Sequence, residues 1–299
     1  MALEDESEMA WQRALVIGCG YLGQRVASEW QTRGKQVSVL SRSSTRAAKW
    51  LADGWDAHVG DVTDPASLAG LPSVDVVLFA VGRDRERTSQ TMREVSLDGL
   101  RNVLDVTAGR CRRFVFCSST GVYGQHEGEW VDEDSPATPR RENGLVLVEA
   151  EGLVREMMGE GARVLRLAGL YGPDRLIGRR DVLLAGTPLS GRPDAWLNLI
   201  HVDDATRAVL AASEEMDATA AGTWVVCDDR PVTRSEFFAE LARRVGAPEP
   251  QFDRRPGGGR IAGLGKRCRN HRMKRELVKD LAFPDISSGL ESSLPGSRG

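Results

Sequence analysis

Short apolar runs alternate with longer amphipathic segments along the first 169 residues of the chain. The apolar runs predict buried parallel strands at residues 14–17, 36–40, 57–59, 74–82, 113–117 and 163–167. Apolar residues at helical spacing predict helices at residues 21–33, 88–107 and 143–158. Strands and helices that alternate with short connections form a doubly wound parallel sheet with right-handed crossovers. The pattern therefore predicts the α/β fold class.

After residue 169 this alternation stops. Residues 170–200 are rich in glycine and proline and are predicted to form irregular connections. Thr233 and Glu236 have the spacing of a capping box, which predicts a helix that ends near Gly246. The other features expected here are a helix at residues 201–212, a strand at 223–227, a glycine joint at 257–259 and weakly helical basic sequence to about residue 281.

These patterns predict three parts of unequal size. Residues 1–11 are expected to form a flexible tail, because they are strongly polar and precede the first strand. Residues 12–169 are expected to form the main α/β domain. Residues 170–299 are expected to form mostly a smaller mixed C-terminal lobe, with some segments that return to the main sheet.

The first strand leads directly into a glycine-rich turn and then into a helix. In that context the spacing Gly-x-Gly-x-x-Gly is typical of a dinucleotide-binding turn. The first glycine allows the tight turn, the second lets the backbone approach a pyrophosphate, and the third lets the helix pack on the strand. The helix N-terminus offers N–H groups to the phosphates. We therefore predict a Rossmann-type fold whose cofactor contacts include Gly18, Gly20, Tyr21, Leu22 and Gly23.

The end of the second strand indicates which dinucleotide is bound. An acidic residue about 20 positions after the glycines would hold the ribose 2′-hydroxyl of NAD. The chain instead has Ser41 and Arg42 there, followed by Arg46. A guanidinium can pair with a 2′-phosphate. We therefore favour NADP over NAD, with the alternative that both arginines are only solvated loop residues.

Composition excludes several classes of protein. The net charge of −3 favours neither a nucleic-acid coat nor a membrane-surface protein, and no apolar run has the length of a transmembrane helix. The first ten residues are acidic where a secretion signal would be basic and then apolar. Five widely spaced cysteines without a Cys-x-x-Cys pair predict neither a disulfide framework nor a zinc site. We expect a cytoplasmic protein without a metal.

Four stretches together resemble the extended or atypical short-chain dehydrogenases/reductases, the group that contains NAD(P)-dependent epimerases and dehydratases. The stretches are VIGCGYLG at 16–23, FVFCSSTGVYG at 114–124, LRLAGLYGPDR at 165–175 and NLIHVDDATRAV at 198–209. Their order and spacing are much more specific than the glycines alone.

The resemblance implies roles for individual residues. Asp61 is similar to the acidic residue at the adenine edge, and Ala80, Val81 and Gly82 to the small-residue turn at the cofactor ribose. Ser119 resembles the catalytic hydroxyl that bonds a substrate oxygen, and its neighbours Ser118 and Thr120 could be confused with it; Ser118 is also expected to contact the cofactor. Tyr171 belongs to a loop expected near the nicotinamide, and residues 201–204 match a motif that closes the site.

One family feature is missing from the chain. Such enzymes carry Tyr-x-x-x-Lys on the helix after the fifth strand, where the i and i+4 positions share a face and the ammonium lowers the pKa of the phenol. Alignment on Ala150-Glu151 puts Asn143 at the tyrosine position and Leu147 at the lysine position. The usual acid/base pair is therefore absent.

Three interpretations follow. In the first, the protein is an enzyme with a substituted donor, for which Tyr123, His126 and Glu142 are candidates; packing is the favoured role for Tyr123 and simple exposure for the other two. In the second, the protein binds NADP(H) without turnover, as a sensor or regulatory protein. In the third, it binds an anion other than a dinucleotide, which the intact glycine turn disfavours. We favour an oxidoreductase or epimerase.

Nine basic residues occur between Arg254 and Arg275 with no acid among them. A nucleic-acid contact is conceivable from this charge, but no aromatic residue interleaves the cations, as stacking on single strands requires. The resemblance suggests contacts to the phosphates of a nucleotide-linked substrate, and acidic partners within the same molecule are an equal alternative. We expect a small-molecule substrate, with phosphorylated and nucleotide-linked compounds as candidates, no nucleic-acid partner and, by resemblance, a homodimer.

Overall fold

A computed structural model describes residues 11–82, 90–214, 222–253 and 263–294. Its central feature is a seven-stranded parallel sheet with the order β12-β7-β5-β4-β1-β2-β3. The strands are β1 Arg13–Ile17, β2 Gln36–Ser41, β3 Asp56–Val59, β4 Val76–Phe79, β5 Arg113–Ser119, β7 Ala162–Leu167 and β12 Gly222–Val226. The α/β, Rossmann-type prediction is confirmed.

Helices connect the strands of the sheet and continue into the second half of the chain. They are α1 Gly23–Thr32, α2 Ser44–Ala52, α3 Gly99–Thr107, α4 Glu142–Met158, α5 Ile177–Leu184, α6 Val202–Ser213, α7 Arg234–Val245, α8 His271–Glu276 and α9 Ile286–Ser293. A short π-helix, Glu94–Asp98, leads into α3.

Local sequence signals account for where several helices begin and end. Ser43 caps α2, since its side chain accepts a hydrogen bond from the Arg46 N–H. The predicted capping box of Thr233 and Glu236 is present at the start of α7. Gly246, in the left-handed conformation, ends that helix. The prediction for this helix is therefore confirmed at both ends.

Short strands add small two-stranded sheets outside the central sheet. They are β6 Glu127–Val131, β8 Gly169–Tyr171, β9 Leu189–Ser190, β10 Trp196–Leu197, β11 Leu199–His201, β13 Val232–Thr233, β14 Phe252–Asp253 and β15 Gly265–Cys268. The pairs are β10 with β13, β11 with β8, β14 with β9 and β15 with β6. Long-range pairing therefore orders these segments, for which apolar periodicity is weak.

The contacts divide the chain into two compact units. The first comprises Met1–Ser118, Val146–Leu165 and Val209–Thr223, and the second comprises Ser119–Leu145, Arg166–Ala208 and Trp224–Gly299. The apolar centre of the second unit is built from α5, α7, α9 and the strands between them, with Tyr171, Phe237 and Leu290 fully buried. The division of the chain at residue 169 stays a prediction.

Three sequence expectations need correction. Trp11, assigned to the flexible tail, is buried against Trp30 with ring centroids 5.5 Å apart, so the tail ends before it. Residues 170–200, predicted as irregular, contain α5 and several short strands, because pairing with distant segments orders them. The basic sequence before residue 281, predicted as weakly helical, contains the strand β15 ahead of the short helix α8. Strand β6 lies in a segment for which no element was predicted. The glycine joint at 257–259 and residues 1–10 lie outside the described residues.

Candidate cofactor and active site

The turn between β1 and α1 depends on its glycines in three different ways. Gly18 has a φ of +92°, and a Cβ there would lie 2.6 Å from the carbonyl carbon of Ala80. A Cβ on Gly23 would lie 2.5 Å from the Gly18 carbonyl oxygen. A Cβ on Gly20 would meet no heavy atom within 4 Å. Packing therefore requires glycine at positions 18 and 23. At Gly20 the protein backbone is open, so that a pyrophosphate group could approach it closely.

A cavity of about 560 Å³ opens at this turn. Its volume lies within the range of about 300–1,000 Å³ that is usual for small-molecule sites. The wall is formed by the carboxyl ends of neighbouring parallel strands and by the segments after them. It comprises residues 17–20, 40–44, 60–62 and 80–82, together with Arg46, Trp50, Gln90 and Val95. This is the edge of a doubly wound sheet where ligands bind.

The wall at the end of β2 is cationic and rich in hydroxyl groups. Exposed Arg42 donates a hydrogen bond to the Gln90 side chain at 3.3 Å. The hydroxyl of Ser41 is buried and accepts from the Ser43 N–H at 3.0 Å. Burial raises the pKa of the Cys19 thiol in the glycine turn to about 12, and the Arg46 charge lowers it in part. Arg46 therefore acts electrostatically on the glycine turn itself.

Of the other cofactor residues predicted near the glycine turn, some line the cavity and some do not. Asp61, Ala80, Val81 and Gly82 line the cavity as expected. Asp61 is held by Thr63, whose N–H and hydroxyl donate to the same carboxylate oxygen at 3.0 and 2.9 Å. The lining does not include the buried Leu22 or the half-buried Tyr21, whose ring lies 4.2 Å from the Arg25 guanidinium carbon. Their cofactor contacts stay predictions.

Several lining residues were not predicted. Cys19, Gly60 and Val62 lie at or just after strand ends and could have been found from that position alone. Gln90 and Val95 come from the segment before α3 and have no local signal. Only the packing of that segment brings them to the cavity.

At the end of β5 two adjacent serines have different environments. Ser118 is buried, and its hydroxyl donates to a Glu151 carboxylate oxygen at 2.7 Å. Its hydroxyl proton is therefore used within the protein.

Ser119 belongs to the second unit and is only half-buried. Its hydroxyl oxygen accepts the Gly121 N–H at 3.1 Å. Among the described residues the hydroxyl proton of Ser119 has no acceptor, so it can be donated to an external oxygen.

Tyr123 is buried and its hydroxyl is fully engaged. The phenol donates to the Asp132 carbonyl oxygen at 2.6 Å and accepts from Arg166 at 2.8 Å. Burial raises the pKa of Tyr123 well above its usual value, although Arg166 lowers it in part. These contacts favour the packing role for Tyr123 over a role in proton transfer.

Tyr171, expected near the nicotinamide, is fully buried within the second unit. Its hydroxyl donates to the Asp285 carbonyl oxygen at 3.2 Å, and its ring meets the His201 ring edge-on at 5.3 Å. His201 is also fully buried, and its Nδ1 accepts the Asp203 N–H at 3.2 Å. The motif at residues 201–204 thus makes internal hydrogen bonds, and the cofactor contact of Tyr171 stays a prediction.

Helix α4 carries the two positions at which the family's acid/base pair is missing. Asn143 is exposed in the first turn of the helix. Leu147 is buried. Glu142 is exposed, and His126 is half-buried and 3.8 Å from Glu127. No new acid/base pair is formed by these residues in the part of the chain that the structure describes.

Three of the six described cations in the basic C-terminal segment have acidic partners in the same molecule. Arg272 pairs with Asp134 at 2.9 Å, and Lys274 with Asp229 at 2.8 Å. Arg275 pairs with the adjacent Glu276 at 2.7 Å. For these three residues the intramolecular alternative is supported. Arg254, Arg255 and Arg260 lie outside the described residues.

Among the described residues, no group of three or more His, Cys, Asp or Glu side chains could hold a metal ion. No helix within those ranges combines the length and the apolar character needed to cross a membrane.

Comparison with known proteins identifies the family. The model of the NAD dependent epimerase/dehydratase family matches residues 14–227, from β1 to just past β12. The chain belongs to this family. Its members bind NAD(P), and the glycine turn and the cavity beside it are suited to such a group.

Individual relatives agree with this assignment. The Escherichia coli K12 protein YeeZ is 29% identical over 285 residues, which cover 92% of this chain and 97% of YeeZ. A solved structure from Methylobacillus flagellatus, to which NAD-dependent epimerase/dehydratase function is attributed, is 29% identical with a TM-score of 0.75, covering 96% of this chain and 99% of the other. The Thermotoga maritima UDP-glucose 4-epimerase with UDP-glucose has a TM-score of 0.78 at 18% identity, covering 93% and 96%; this similarity concerns the fold alone.

Proposed function

We propose that this protein binds NADP(H) in the cavity at the glycine turn and acts as an oxidoreductase or epimerase on a nucleotide-linked or other small polar substrate. The observation that carries the proposal is the wall of that cavity, where open Gly20 and the cationic end of β2 occur together. When bound, the nicotinamide ring would supply hydride transfer. In the proposed reaction Ser119 orients the reacting oxygen, because its hydroxyl proton is available.

The preference for NADP rests on charge. Arg42 and Arg46 line the cavity with three serine residues at positions 41, 43 and 44. A guanidinium pairs strongly with a phosphate. In NAD enzymes a carboxylate at the corresponding point accepts a hydrogen bond from the ribose 2′-hydroxyl. Residues 40–46 contain no carboxylate.

Fluorescence titration with NADPH and NADH tests this preference. Loss of a hydrogen bond to a charged group costs about 1.5–3 kcal/mol, so Arg42→Ala should weaken NADPH binding about 10- to 100-fold. NADH binding should change less than about twofold, since NADH lacks the 2′-phosphate. The matched control is Arg33→Ala, which removes an exposed arginine that does not line the cavity. Preference of the unmodified protein for NADH would contradict the assignment of Arg42.

A turnover screen over nucleotide sugars and aldehydes tests the enzymatic part. NADPH consumption, or interconversion of sugar epimers, is expected with at least one class. Ser119→Ala should abolish most of that turnover while leaving the affinity for NADPH unchanged. Tight NADPH binding without turnover in every class would instead support the second candidate.

That second candidate is a non-catalytic NADP(H) sensor or regulatory protein. It is favoured by one observation on α4, where exposed Asn143 and buried Leu147 replace the family's tyrosine and lysine. For a sensor, NADPH binding should protect the chain from proteolysis or change its association with a partner.

The remaining expectations are proposals as well. We propose a cytoplasmic homodimer, for which size-exclusion chromatography with light scattering and cell fractionation are the direct measurements. A monomer would exclude the dimer without affecting the assignment of the cofactor.

A further inference from the structure

Gln90, in the segment that leads into α3, joins two separate parts of the wall of the cofactor cavity. Its amide nitrogen donates a hydrogen bond to the Thr63 hydroxyl at 3.3 Å, in the segment after β3. Its amide oxygen accepts a hydrogen bond from the Arg42 guanidinium at 3.3 Å, at the end of β2. Gln90 and Arg42 both line the cavity. The half-buried Gln90 side chain therefore connects the ends of two neighbouring strands of the sheet.

The hydrogen bonds on its two sides determine which way the Gln90 amide points. The Thr63 hydroxyl donates its single proton to the Asp61 carboxylate at 2.9 Å, so toward Gln90 it can only accept. Gln90 therefore turns its NH2 group to Thr63 and its carbonyl oxygen to Arg42, which can only donate. All the donors point the same way along this chain, which ends at the Asp61 carboxylate. Hydrogen bonds in such a chain polarise and strengthen one another.

Two contacts within the first unit anchor the backbone next to Gln90. The N–H and the hydroxyl of Thr91 both donate to one carboxylate oxygen of Glu94, at 2.7 and 2.9 Å. Arg93 forms two hydrogen bonds with the Glu149 carboxylate on α4, at 2.9 and 2.7 Å. A paired contact of this kind restricts orientation as well as distance. The segment that carries Gln90 is thus attached to α4, so its position does not depend on the contact with Arg42.

The contact with Gln90 limits the freedom of the Arg42 side chain. Arg42 is exposed, and a long exposed side chain loses conformational entropy when it pairs with a ligand. The hydrogen bond to Gln90 uses one N–H of the guanidinium, so it does not by itself prevent paired bonds from the others to a phosphate. Because Gln90 restricts the guanidinium before a ligand arrives, less entropy is lost on binding.

We propose that Gln90 is a positioning residue that sets the preference of the cavity for NADPH, because it holds the Arg42 guanidinium toward the 2′-phosphate. This inference rests on the proposed function, in which the cavity binds NADP(H) and Arg42 contacts that phosphate. NADH lacks the 2′-phosphate, so the effect of Gln90 is confined to NADPH. Cofactor selectivity then depends on a side chain 48 positions away from Arg42, outside the strands and the turn that carry the usual signals.

Fluorescence titration of Gln90→Leu with NADPH and with NADH tests this role without turnover. Leucine is similar in size to glutamine but forms no hydrogen bond. The dissociation constant for NADPH should rise about three- to tenfold, as expected for loss of one hydrogen bond, and that for NADH by less than about twofold. A merely structural role would weaken both nucleotides equally. The matched control is Gln36→Leu, which changes an exposed glutamine at the start of β2 that does not line the cavity.

Gln90→Glu changes the charge at the same position with almost no change in size. The new carboxylate would pair with Arg42 and repel the 2′-phosphate, so NADPH affinity should fall about 10- to 100-fold. NADH affinity should change less than about threefold. The matched control is Gln36→Glu, which adds the same charge away from the cavity and should leave the ratio of the two affinities unchanged. Equal losses for NADPH and NADH in Gln90→Glu would overturn the proposal.

A double-mutant cycle shows whether Gln90 acts through Arg42. In an Arg42→Ala background, Gln90→Leu should change NADPH affinity by less than about twofold, because the side chain that Gln90 positions is gone. The same loss in both backgrounds would mean that Gln90 acts independently of Arg42, which would overturn the proposal. A rise in NADPH affinity in Gln90→Leu alone would overturn it as well, since Gln90 would then compete with the phosphate for Arg42.

Titration of the unmodified protein separates this inference from the proposed function. A preference for NADPH that stays the same in both Gln90 variants would remove the role of Gln90 and keep the proposed cofactor. A preference for NADH, or no binding of NADPH, would remove the assignment of NADP itself and the role of Gln90 with it.

Discussion

Three glycines in the first part of the chain allow the structural and ligand-binding roles of the glycine turn to be measured separately. At Gly18 an alanine would suffer both a positive φ and a collision with the Ala80–Val81 backbone. At Gly34, where φ is +76° and no heavy atom lies within 4 Å of a Cβ, it would suffer the strained φ alone. At Gly20 it would suffer neither.

The magnitudes follow from these differences. A left-handed conformation costs a residue with a Cβ about 1–3 kcal/mol, and overpacking against neighbours adds about 1–3 kcal/mol. Gly18→Ala should therefore lower the free energy of unfolding by about 2–6 kcal/mol, and Gly34→Ala by about 1–3 kcal/mol. Gly20→Ala should change it by less than about 1 kcal/mol, because the new methyl group only restricts the unfolded chain.

The NADPH affinities of these variants should follow a different order from their stabilities. In Gly20→Ala the new methyl group would project into the cavity. It would keep the pyrophosphate of NADPH too far from the backbone N–H groups for hydrogen bonds. If one or two charge-assisted hydrogen bonds are lost, NADPH affinity falls about 10- to 100-fold or more. Gly34→Ala should bind NADPH as the unmodified protein does, because Gly34 does not line the cavity.

Urea denaturation measures the stabilities, and quenching of protein fluorescence by NADPH measures the affinities. Gly20→Ala with normal affinity would refute the placement of the pyrophosphate at this wall. Gly18→Ala with the stability of Gly34→Ala would refute the packing argument, since the collision is what distinguishes the two positions.

Three further changes test other parts of the structure. Gly289→Ala should destabilise the protein by about 1–3 kcal/mol, because its methyl group would collide with the buried Tyr171 hydroxyl; a melting temperature unchanged from the unmodified protein would contradict this. Asp228 is buried, neither carboxylate oxygen has a partner of good geometry among the described residues, and burial raises its pKa well above the usual value. Its contribution to stability is therefore present below about pH 4, where the unfolded carboxyl is still protonated, and is lost as the pH rises through the folded pKa. The free energy of unfolding of Asp228→Asn, measured in urea, should therefore rise relative to that of the unmodified protein between pH 4 and pH 8. A difference in free energy that does not change with pH would exclude the raised pKa of Asp228 as the cause. Tyr123→Phe should cost about 1–3 kcal/mol, since it removes one buried hydrogen bond from Arg166 and one to the Asp132 carbonyl oxygen. NADPH affinity should not change, and loss of turnover at unchanged stability would instead favour a chemical role for the phenol.

Local patterns in the sequence account for much of the first unit. Continuous apolar runs predict strands such as β4 because these strands are covered on both faces. The edge strand β3, whose residues are exposed or half-buried, is an exception. The glycine turn was identifiable because its conformation and close packing require glycine at particular spacings, as Gly18 and Gly23 show. The capping box before α7 was identifiable because its hydrogen bonds join residues only three positions apart.

The second unit was less predictable. Strands of two or three residues, such as β8 and β11, are too short to show periodicity, and each is ordered by a partner from elsewhere in the chain. Local composition assigns Trp11 to a tail because polar residues precede it, although its ring packs on Trp30. Such errors arise where long-range packing outweighs local composition.

The sequence by itself determined the fold class, the family and the position of the glycine turn, because strand runs and motif spacing are local properties. It also showed that Asn143 and Leu147 replace the usual acid/base pair. Only the tertiary structure decided which side chains remain available for chemistry. Hydrogen bonds with Glu151 and Arg166 occupy Ser118 and Tyr123, whereas Ser119 keeps a proton to donate. Contacts of this kind join residues tens of positions apart, and no local pattern encodes them.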